Sequence, residues 1–443
     1  MTISDTRSGL EVAASRSPHG QKAGGRWIRA RLGDVVEINP RALPLPDNFI
    51  YIDLECVKNG KILQRNVIRK VEAPSRAQRT LLPDDVLFQL VRPYQQNNLL
   101  FKPSDSAEYV ASTGYAQIRC KSNQSFFYYL LHRQDFLNRV LAVCTGTGYP
   151  AITPTELSKI YVCYPGSSSD QAHIAEILST CDEVIEKSER AKEKFQRIKE
   201  GLLTDLMTRG IGRDGKVRPK PSEAPELYKQ SELGLIPKDW EVKRLGDVYI
   251  VQLGKMLDAA QNTGEEKLYL GNKAVQWGRI DLDAVEKVRL TESDMVKFRL
   301  HKGDMLACEG GEVGRCVIWN DELPECYYQK AIHRLRIIAP ESGVVEYLVS
   351  LFSWYAANDK FQPYITQTSI AHLPKDKLES MLISWPKKNE QQLIADRLGA
   401  VDERIAAEEN IIAKYRKIKA GLLQRLLTPP TDAEIVDLTE DKP

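Results

Sequence analysis

The residues best suited to specific chemistry sit in polar turns. The turn VRPYQQNN places Arg92, Gln95, Gln96, Asn97 and Asn98 directly after a predicted strand. An arginine fork can donate to both N7 and O6 of guanine, and Asn or Gln amides match adenine N6 and N7. These side chains therefore suit the reading of base edges in a duplex groove, although an ordinary solvated loop has the same composition. Further on, Thr145-Gly146-Thr147-Gly148-Tyr149-Pro150 is a Gly/Thr loop that either lets a ligand approach the backbone or simply turns. The second half offers analogues in Glu309 to Arg315 (EGGEVGR) and Gln329 to Arg334 (QKAIHR), with Gln367, Thr368 and Ser369 in the place of the Thr145 loop. The candidate contact residues are thus Arg92, Gln95, Gln96, Asn97, Asn98, Thr145, Thr147, Tyr149, Glu309, Arg315, Lys330, His333, Arg334, Gln367 and Thr368.

No motif for bond-making chemistry accompanies them. The chain has no GxxxxGK[ST] phosphate loop, no GxSxG and no HExxH. It lacks the [DNS]PP[YFW] loop of adenine methyltransferases, since its single Pro-Pro pair is Pro429-Pro430. The glycines of Glu309 to Gly314 do not fit a dinucleotide or AdoMet loop. Glu241-Val242-Lys243 has the form of half a nuclease motif, but roughly eight such triplets arise by chance in a chain this charged, so it reads as a strand entering a domain. The eight cysteines contain no CxxC pair and the six histidines are scattered, so no zinc ligand set is present. The cysteines read as reduced core thiols. No catalytic residue and no metal ligand is assigned.

The elements that position these turns are set out by a repeat. Asp170 to Thr208 aligns without a gap on Glu390 to Thr428, with 16 identities in 39 positions, where chance gives about two or three. Gln171/Gln391, Asp182-Glu183/Asp402-Glu403, Ile198-Lys199/Ile418-Lys419 and the two Gly-Leu-Leu triplets all recur. Trp27 with Arg31-Leu32-Gly33-Asp34 recurs as Trp240 with Arg244-Leu245-Gly246-Asp247, and Asp85-Val86-Leu87 is faintly echoed by Asp304-Met305-Leu306.

Each copy of the 39-residue repeat reads as one long helix with a 3/4-spaced seam. The seam and docking positions are Ile174, Ile177, Phe195, Ile198, Leu202 and Leu206 in the first copy. In the second they are Ile394, Leu398, Ile405, Tyr415, Leu422 and Leu426. A lone helix could not bury such a stripe. The two copies are expected to pack antiparallel on each other, with docking of each helix on its own domain as the alternative. The expected fold class is α+β: two α/β domains separated by two long antiparallel coiled-coil helices, in a pseudo-two-fold repeat.

The expected boundaries are a disordered leader at 1–25, a first domain at 26–165, a helix at 166–208 and an exposed linker at 209–239. A second domain at 240–386, a helix at 387–428 and a solvated acidic tail at 429–443 follow. Short helices are expected at Phe126 to Val143 and Val345 to Phe361. Strands are expected at Val86 to Val91, Tyr109 to Cys120, Leu268 to Leu270, Arg315 to Trp319 and His333 to Ile338. The net charge of +2 conceals a difference between the halves. Arg26 to Pro165 has 18 Lys and Arg against 12 Asp and Glu, whereas Trp240 to Pro386 has 18 against 21. Any binding of a polyanion by the second half must therefore rest on local patches. No apolar run reaches membrane-spanning length and no secretory signal opens the chain, so a cytoplasmic protein is expected.

With these features in place, the chain resembles the specificity subunit of type I restriction–modification systems. The resemblance runs from about Arg26 to Thr428. It is carried by the two Trp/RLGD starts, the helix ends KEGLLTDLMT and KAGLLQRLLT, and the linker LYKQSELGLIPKDW. LVRPY and CEGGEVGR add to it. The resemblance implies two target-recognition domains, each reading half of a bipartite site in double-stranded DNA. It implies that the helices act as a spacer and dock modification subunits, expected to be two, that bind AdoMet and methylate adenine. Separate motor and nuclease subunits would use ATP and Mg, and this chain would bind no cofactor. At ~1.5 Å per residue a 39-residue helix spans roughly 58 Å, or about 17 base pairs. Two other classes stay open: a fused methyltransferase or nuclease, against which the missing motifs argue, and a coiled-coil adaptor that reads no bases.

Overall fold

The computed structural model describes residues 25–41, 43–146, 148–257, 262–367, 371–431 and 433–439. The expected leader lies outside this range apart from Gly25, as do Thr147, Thr368 and the last acidic residues. The chain forms two compact units, Met1–Ser188 with Asn410–Pro443, and Glu189–Glu409. The boundary cuts each long helix near its middle, so each unit contains one domain and half of each helix.

In the first unit, the strand Trp27–Arg31 pairs antiparallel with Tyr161–Pro165. A mixed sheet joins Asn66–Arg69, Asn48–Ile52, Tyr109–Ser112 and Ala77–Thr80, and an antiparallel sheet joins Val36–Ile38, Tyr115–Cys120, Val86–Gln89 and Leu99–Leu100. The expected single strand over Tyr109 to Cys120 is two strands in different sheets, split at Thr113-Gly114. The expected helix at Phe126 to Val143 is likewise two, Gln124–Leu130 and Gln134–Ala142. Asn123 caps the first through Phe126 N–H. Phe88, Phe126, Phe127, Phe136 and Leu130 form the core with Leu32 and Ala30.

The second unit repeats this plan. Glu241–Arg244 pairs antiparallel with Leu382–Trp385. The antiparallel sheet joins Tyr249–Leu253, Ile332–Ile337, Met305–Cys308 and Cys316–Ile318, and the mixed sheet joins Val285–Leu290, Glu265–Leu270 and Tyr327–Tyr328. The helix Val345–Ala357 buries Tyr347, Leu348, Leu351, Phe352 and Tyr355.

Two details explain why short motifs recur between otherwise different halves. In RLGD, Leu32 and Leu245 are fully buried, and their N–H groups donate to the carbonyls of Ile160 and Met381, each at 2.8 Å. The following glycines press on a short helix. A Cβ at Gly33 would lie 2.8 Å from the Ser158 Cβ, and one at Gly246 would lie 3.1 Å from the Glu379 Cβ. At Gly33 a side chain would force the short helix to shift, and at Gly246 it would crowd the helix. The echoed aspartates have the same job in each unit. Asp85 accepts from Leu82 N–H at 2.7 Å and from Arg119 Nε and Nη2 at 2.8 and 2.9 Å. Asp304 accepts from His301 N–H at 2.8 Å and from Arg336 Nε and Nη2 at 2.6 and 2.7 Å.

The long helices run Ser168–Thr208 and Lys388–Leu426. In the first unit, Ile174 and Leu178 share a core with Leu422, Leu426 and Leu427. In the second, Leu202 and Leu206 share one with Ile394 and Leu398. Lys419 Nζ donates to Asp182 at 2.6 Å in the first unit, and Lys199 Nζ donates to Asp402 at 2.5 Å in the second. Asp182/Asp402 and Lys199/Lys419 are repeat mates, so the pairs are reciprocal, as an antiparallel pseudo-two-fold pairing requires. The same helix ends also bury against their own domains, so packing of the helices and docking on the domains coexist. Ile177, Phe195, Ile405 and Tyr415 are half-buried. Ile198 departs from the expected seam at 43% exposure, and its repeat mate Ile418 is also exposed, at 38%.

The connector after the first helix is not the exposed linker expected from its Gly, Pro and charge content. Ile211, Tyr228 and Ile236 are buried, and Tyr228–Ser231 pairs with Gly234–Pro237 as a hairpin. Arg218, 8% exposed, donates to Glu390 at 2.5 Å and to Asp239 at 2.9 Å. Its sparse apolar residues suffice to anchor it beside Trp240, which is fully buried. The tail also departs from the expectation. Ile435–Asp437 adds a parallel strand to Trp27–Arg31, and Asp437 meets Arg29 at 3.5 Å. Among the described residues, no helix is long and apolar enough to cross a membrane, and no group of His, Cys, Asp and Glu could hold a metal ion.

Candidate nucleic-acid interface

In the first unit, the strand Val86–Gln89 ends in the turn that carries Arg92 to Asn98. The turn borders a recess of about 440 Å³ lined by Glu55, Lys58, Arg76, Gln89, Arg92, Gln95, Asn97 and Tyr149, among others. Arg92 is left-handed, with φ 55° and ψ 54°, and Gln96 is left-handed at φ 50°. For a residue with a Cβ this conformation costs roughly 1–2 kcal/mol, so the surroundings must hold it. Arg92 N–H donates to the Pro150 carbonyl at 2.7 Å, and the Arg92 guanidinium lies 4.2 Å from the centre of the exposed Tyr149 ring. Stacking occupies the guanidinium face and leaves its N–H edge able to donate.

Beneath the turn lies a buried polar network. Gln89 and Asn98 are each only 1% exposed. Gln89 N–H donates to Asn98 Oδ1 at 2.8 Å, and the Asn98 amide reaches His132 Nε2 at 3.5 Å. His132 Nδ1–H donates to the Tyr128 carbonyl at 2.7 Å. Burial pushes His132 down to about 4, which keeps the ring neutral and Nε2 an acceptor. Asn98 is therefore a support of the turn rather than a surface contact. Gln95 is exposed, Gln96 and Asn97 are half-buried, and Thr145 is exposed and bridges to Ala151.

The second unit has a turn at the same place. Arg92 stands seven residues after Asp85, and Gly311 stands seven after Asp304, with φ 79°. Where the first unit spends stability on a left-handed arginine, the second uses glycine. The loops beside the two turns also match. Ile152 N–H donates to Leu90 O and Leu373 N–H to Glu309 O, while Thr145 pairs with Ala151 and Thr366 with His372. Thr366 thus occupies the register position of Thr145, with Gln367 next on the same short strand, Thr366–Gln367.

Several residues expected to face a ligand are used internally. His333 is fully buried, and its Nε2–H donates to the Leu373 carbonyl at 2.8 Å. Burial pushes it down to about 4. Arg334 is 7% exposed and donates to Gln252 Oε1 and, at 3.2 Å, to the Arg299 carbonyl. Both lie on Ile332–Ile337, whose first four residues are all buried because both faces of the strand are covered. Arg315 is a clamp. Its Nη2 donates to Asn272 Oδ1 at 2.7 Å and Asn272 O at 3.0 Å, while Asn272 Nδ2 donates to the Gly310 carbonyl at 3.0 Å. Glu309 is half-buried, and burial raises its carboxyl. Lys330 is exposed.

Glu55, Lys58 and Arg76 also line the recess, although sequence alone did not single them out. Lys58 directly precedes the turn Asn59-Gly60, whose two residues are left-handed at φ 51° and 74°, while Glu55 sits in the preceding turn, where its N–H donates to Asp53 Oδ1 at 2.9 Å. Asn-Gly is a strong hairpin signal and marked this wall of the recess. Arg76 follows no such signal.

Comparison with known proteins accounts for both units. A family model described as the type I restriction modification DNA specificity domain matches residues 26–194 and again 237–415. The type I restriction enzyme MjaVIII specificity subunit of Methanocaldococcus jannaschii is 25% identical over 312 residues, 68% of each chain. The putative type I restriction enzyme MjaX specificity subunit of the same organism is 23% identical over 431 residues, 91% of this chain and 93% of that one. The S subunit of a type I restriction–modification system from M. genitalium shares the fold, with a TM-score of 0.58 at 13% identity, over 93% of this chain and 99% of that one. With two matches that together span most of its length, the chain belongs to the type I restriction–modification DNA specificity family, as a non-catalytic subunit whose two domains recognise DNA sequence.

Proposed function

We propose that each unit reads one half of a bipartite site in double-stranded DNA through the turn after its aspartate-anchored strand. The observation that carries this reading is the matched left-handed position, Arg92 in one unit and Gly311 in the other, beside loops in matching register. In the first unit Arg92, Gln95, Gln96, Asn97, Thr145, Thr147 and Tyr149 are the candidate contacts, joined by Glu55, Lys58 and Arg76. In the second they are Glu309, Lys330 and Gln367, with Arg315, His333 and Arg334 as supports, and Thr368, which lies outside the described residues.

In this reading the helices set the number of base pairs between half-sites. Their exposed stripe, including Ile198 and Ile418, docks two adenine-methyltransferase subunits. AdoMet, Mg and ATP belong to those subunits and to a motor–nuclease subunit, and the assembly works in the cytoplasm. The test is the genome-wide adenine-methylation motif of cells with and without this chain. A bipartite motif that vanishes with the chain is expected. A motif that persists would overturn the reading, and methylation by the purified chain with AdoMet alone would mark it as an enzyme.

A further inference from the structure

The recess in the first unit contains a hydrogen-bond relay whose polarity is set by the backbone. Asn97 N–H can only donate, and it donates to Gln89 Oε1 at 3.0 Å. That fixes which end of the buried Gln89 amide is which, so Gln89 Nε2 must point the other way. It donates to Gln95 Oε1 at 2.9 Å. Gln95 is therefore held with its oxygen engaged and its NH₂ group free to donate toward the recess that it lines. Arg92, on the same turn, has only donors. The Gln89 backbone is held in turn by Asn98.

We infer that Gln89 is a positioning residue for specificity: it turns the Gln95 amide so that Gln95 joins Arg92 in presenting donors to the recess, and so selects an acceptor edge, the N7 and O6 of a guanine, at one base pair of the first half-site. The inference rests on the proposal that the first unit reads a half-site. A phosphate also offers acceptors, and Lys58 and Arg76 line the recess with Arg92, but Glu55 lines it too. A carboxylate repels a phosphate, whereas it can accept from cytosine N4 across a G·C pair. The left-handed Arg92 fits the same account. Glycine fills the equivalent position in the second unit, so the arginine is retained against the backbone's preference, and Tyr149 holds its side chain beside Gln95.

The test uses the full chain purified with the subunits that accompany it in its cells. It is incubated with duplexes in which each pair of the two half-sites is randomised in turn, and the bound sequences are counted. Gln89→Met keeps the size of the buried side chain but breaks the relay, and should lower the preference for guanine at one pair about tenfold. Gln95→Glu is an exposed change that folding tolerates. It keeps the bond from Gln89 but turns an acceptor outward, and should move the preference at that pair to a base that donates, adenine or cytosine. Preferences in the second half-site and at the other pairs of the first should not change, whereas a lesion that merely unfolded the first unit would weaken every pair of its half-site. Unchanged preference in both variants would overturn the inference, as would an equal loss at every pair, the mark of a phosphate contact. A wild-type chain that enriches no sequence would overturn the recognition reading itself.

Discussion

Asp304→Asn is the sharpest test of the scaffold that carries the second turn. Asp304 is 1% exposed. Its carboxylate accepts two bonds from Arg336 and one from His301 N–H, all between 2.6 and 2.8 Å. Asparagine keeps the shape but not the charge. It leaves one acceptor oxygen for three donors and points an NH₂ group at another donor. Breaking a buried pair costs about 3–5 kcal/mol. Arg336 is 38% exposed and keeps part of its hydration, so the expected loss is about 2–3 kcal/mol. Hydrogen exchange followed by mass spectrometry reads this locally. Amides of Ile332–Ile337 that exchange by opening should accelerate roughly 30- to 150-fold, while those of Tyr115–Cys120 in the first unit should not. Arg336→Met in the same chain should restore part of the protection, because it removes the stranded cation. No acceleration, or equal acceleration in both strands, would refute the shared role assigned to Asp85 and Asp304.

Three further outcomes follow from the same geometry. Arg92→Ala should cost about 1–3 kcal/mol of discrimination at one base pair, measured by competition between duplexes; a uniform loss across sequences would make it a phosphate contact. Four residues added to each long helix lengthen it by ~6 Å, so the gap in the methylated motif should grow by about two base pairs, and an unchanged motif would sink the spacer role. His333 is held near 4 against 6.5 in the unfolded chain. The neutral ring is favoured by the fold, so its contribution is full above pH 6.5 and falls as pH drops from 6.5 toward 4. The fall amounts to at most about 3 kcal/mol. Denaturant midpoints of the second unit should show that slope, and His333→Gln should flatten it.

The repeat, the long helices and the paired starts were legible because identical side chains do identical work in both units. The RLGD glycine is needed wherever a short helix presses on it, and the recurring Asp and Lys pair reciprocally along the helices. Even the faint Asp85/Asp304 echo marked a real device. What escaped were consequences of long-range packing. The linker looked solvated because its few apolar residues, Ile211, Tyr228 and Ile236, are diluted by charge. The tail strand Ile435–Asp437 gains its partner from the opposite end of the chain. His333 and Arg334 were read as contacts from their residue types, but the strand that carries them is covered on both faces, which makes them supports. Glu55 and Arg76 reach the recess through the pairing of Asn48–Ile52 and Ala77–Thr80 with Tyr109–Ser112, which local sequence does not announce.

The central claim is that two independent readers share one chain. Replacing residues 26–165 with the corresponding domain of an unrelated specificity subunit, and then sequencing the adenine-methylation motif of cells that carry the hybrid, tests it most directly. The account predicts that one half of the motif changes while the other half and the gap stay as they were. A change in both halves, or in neither, would contradict it.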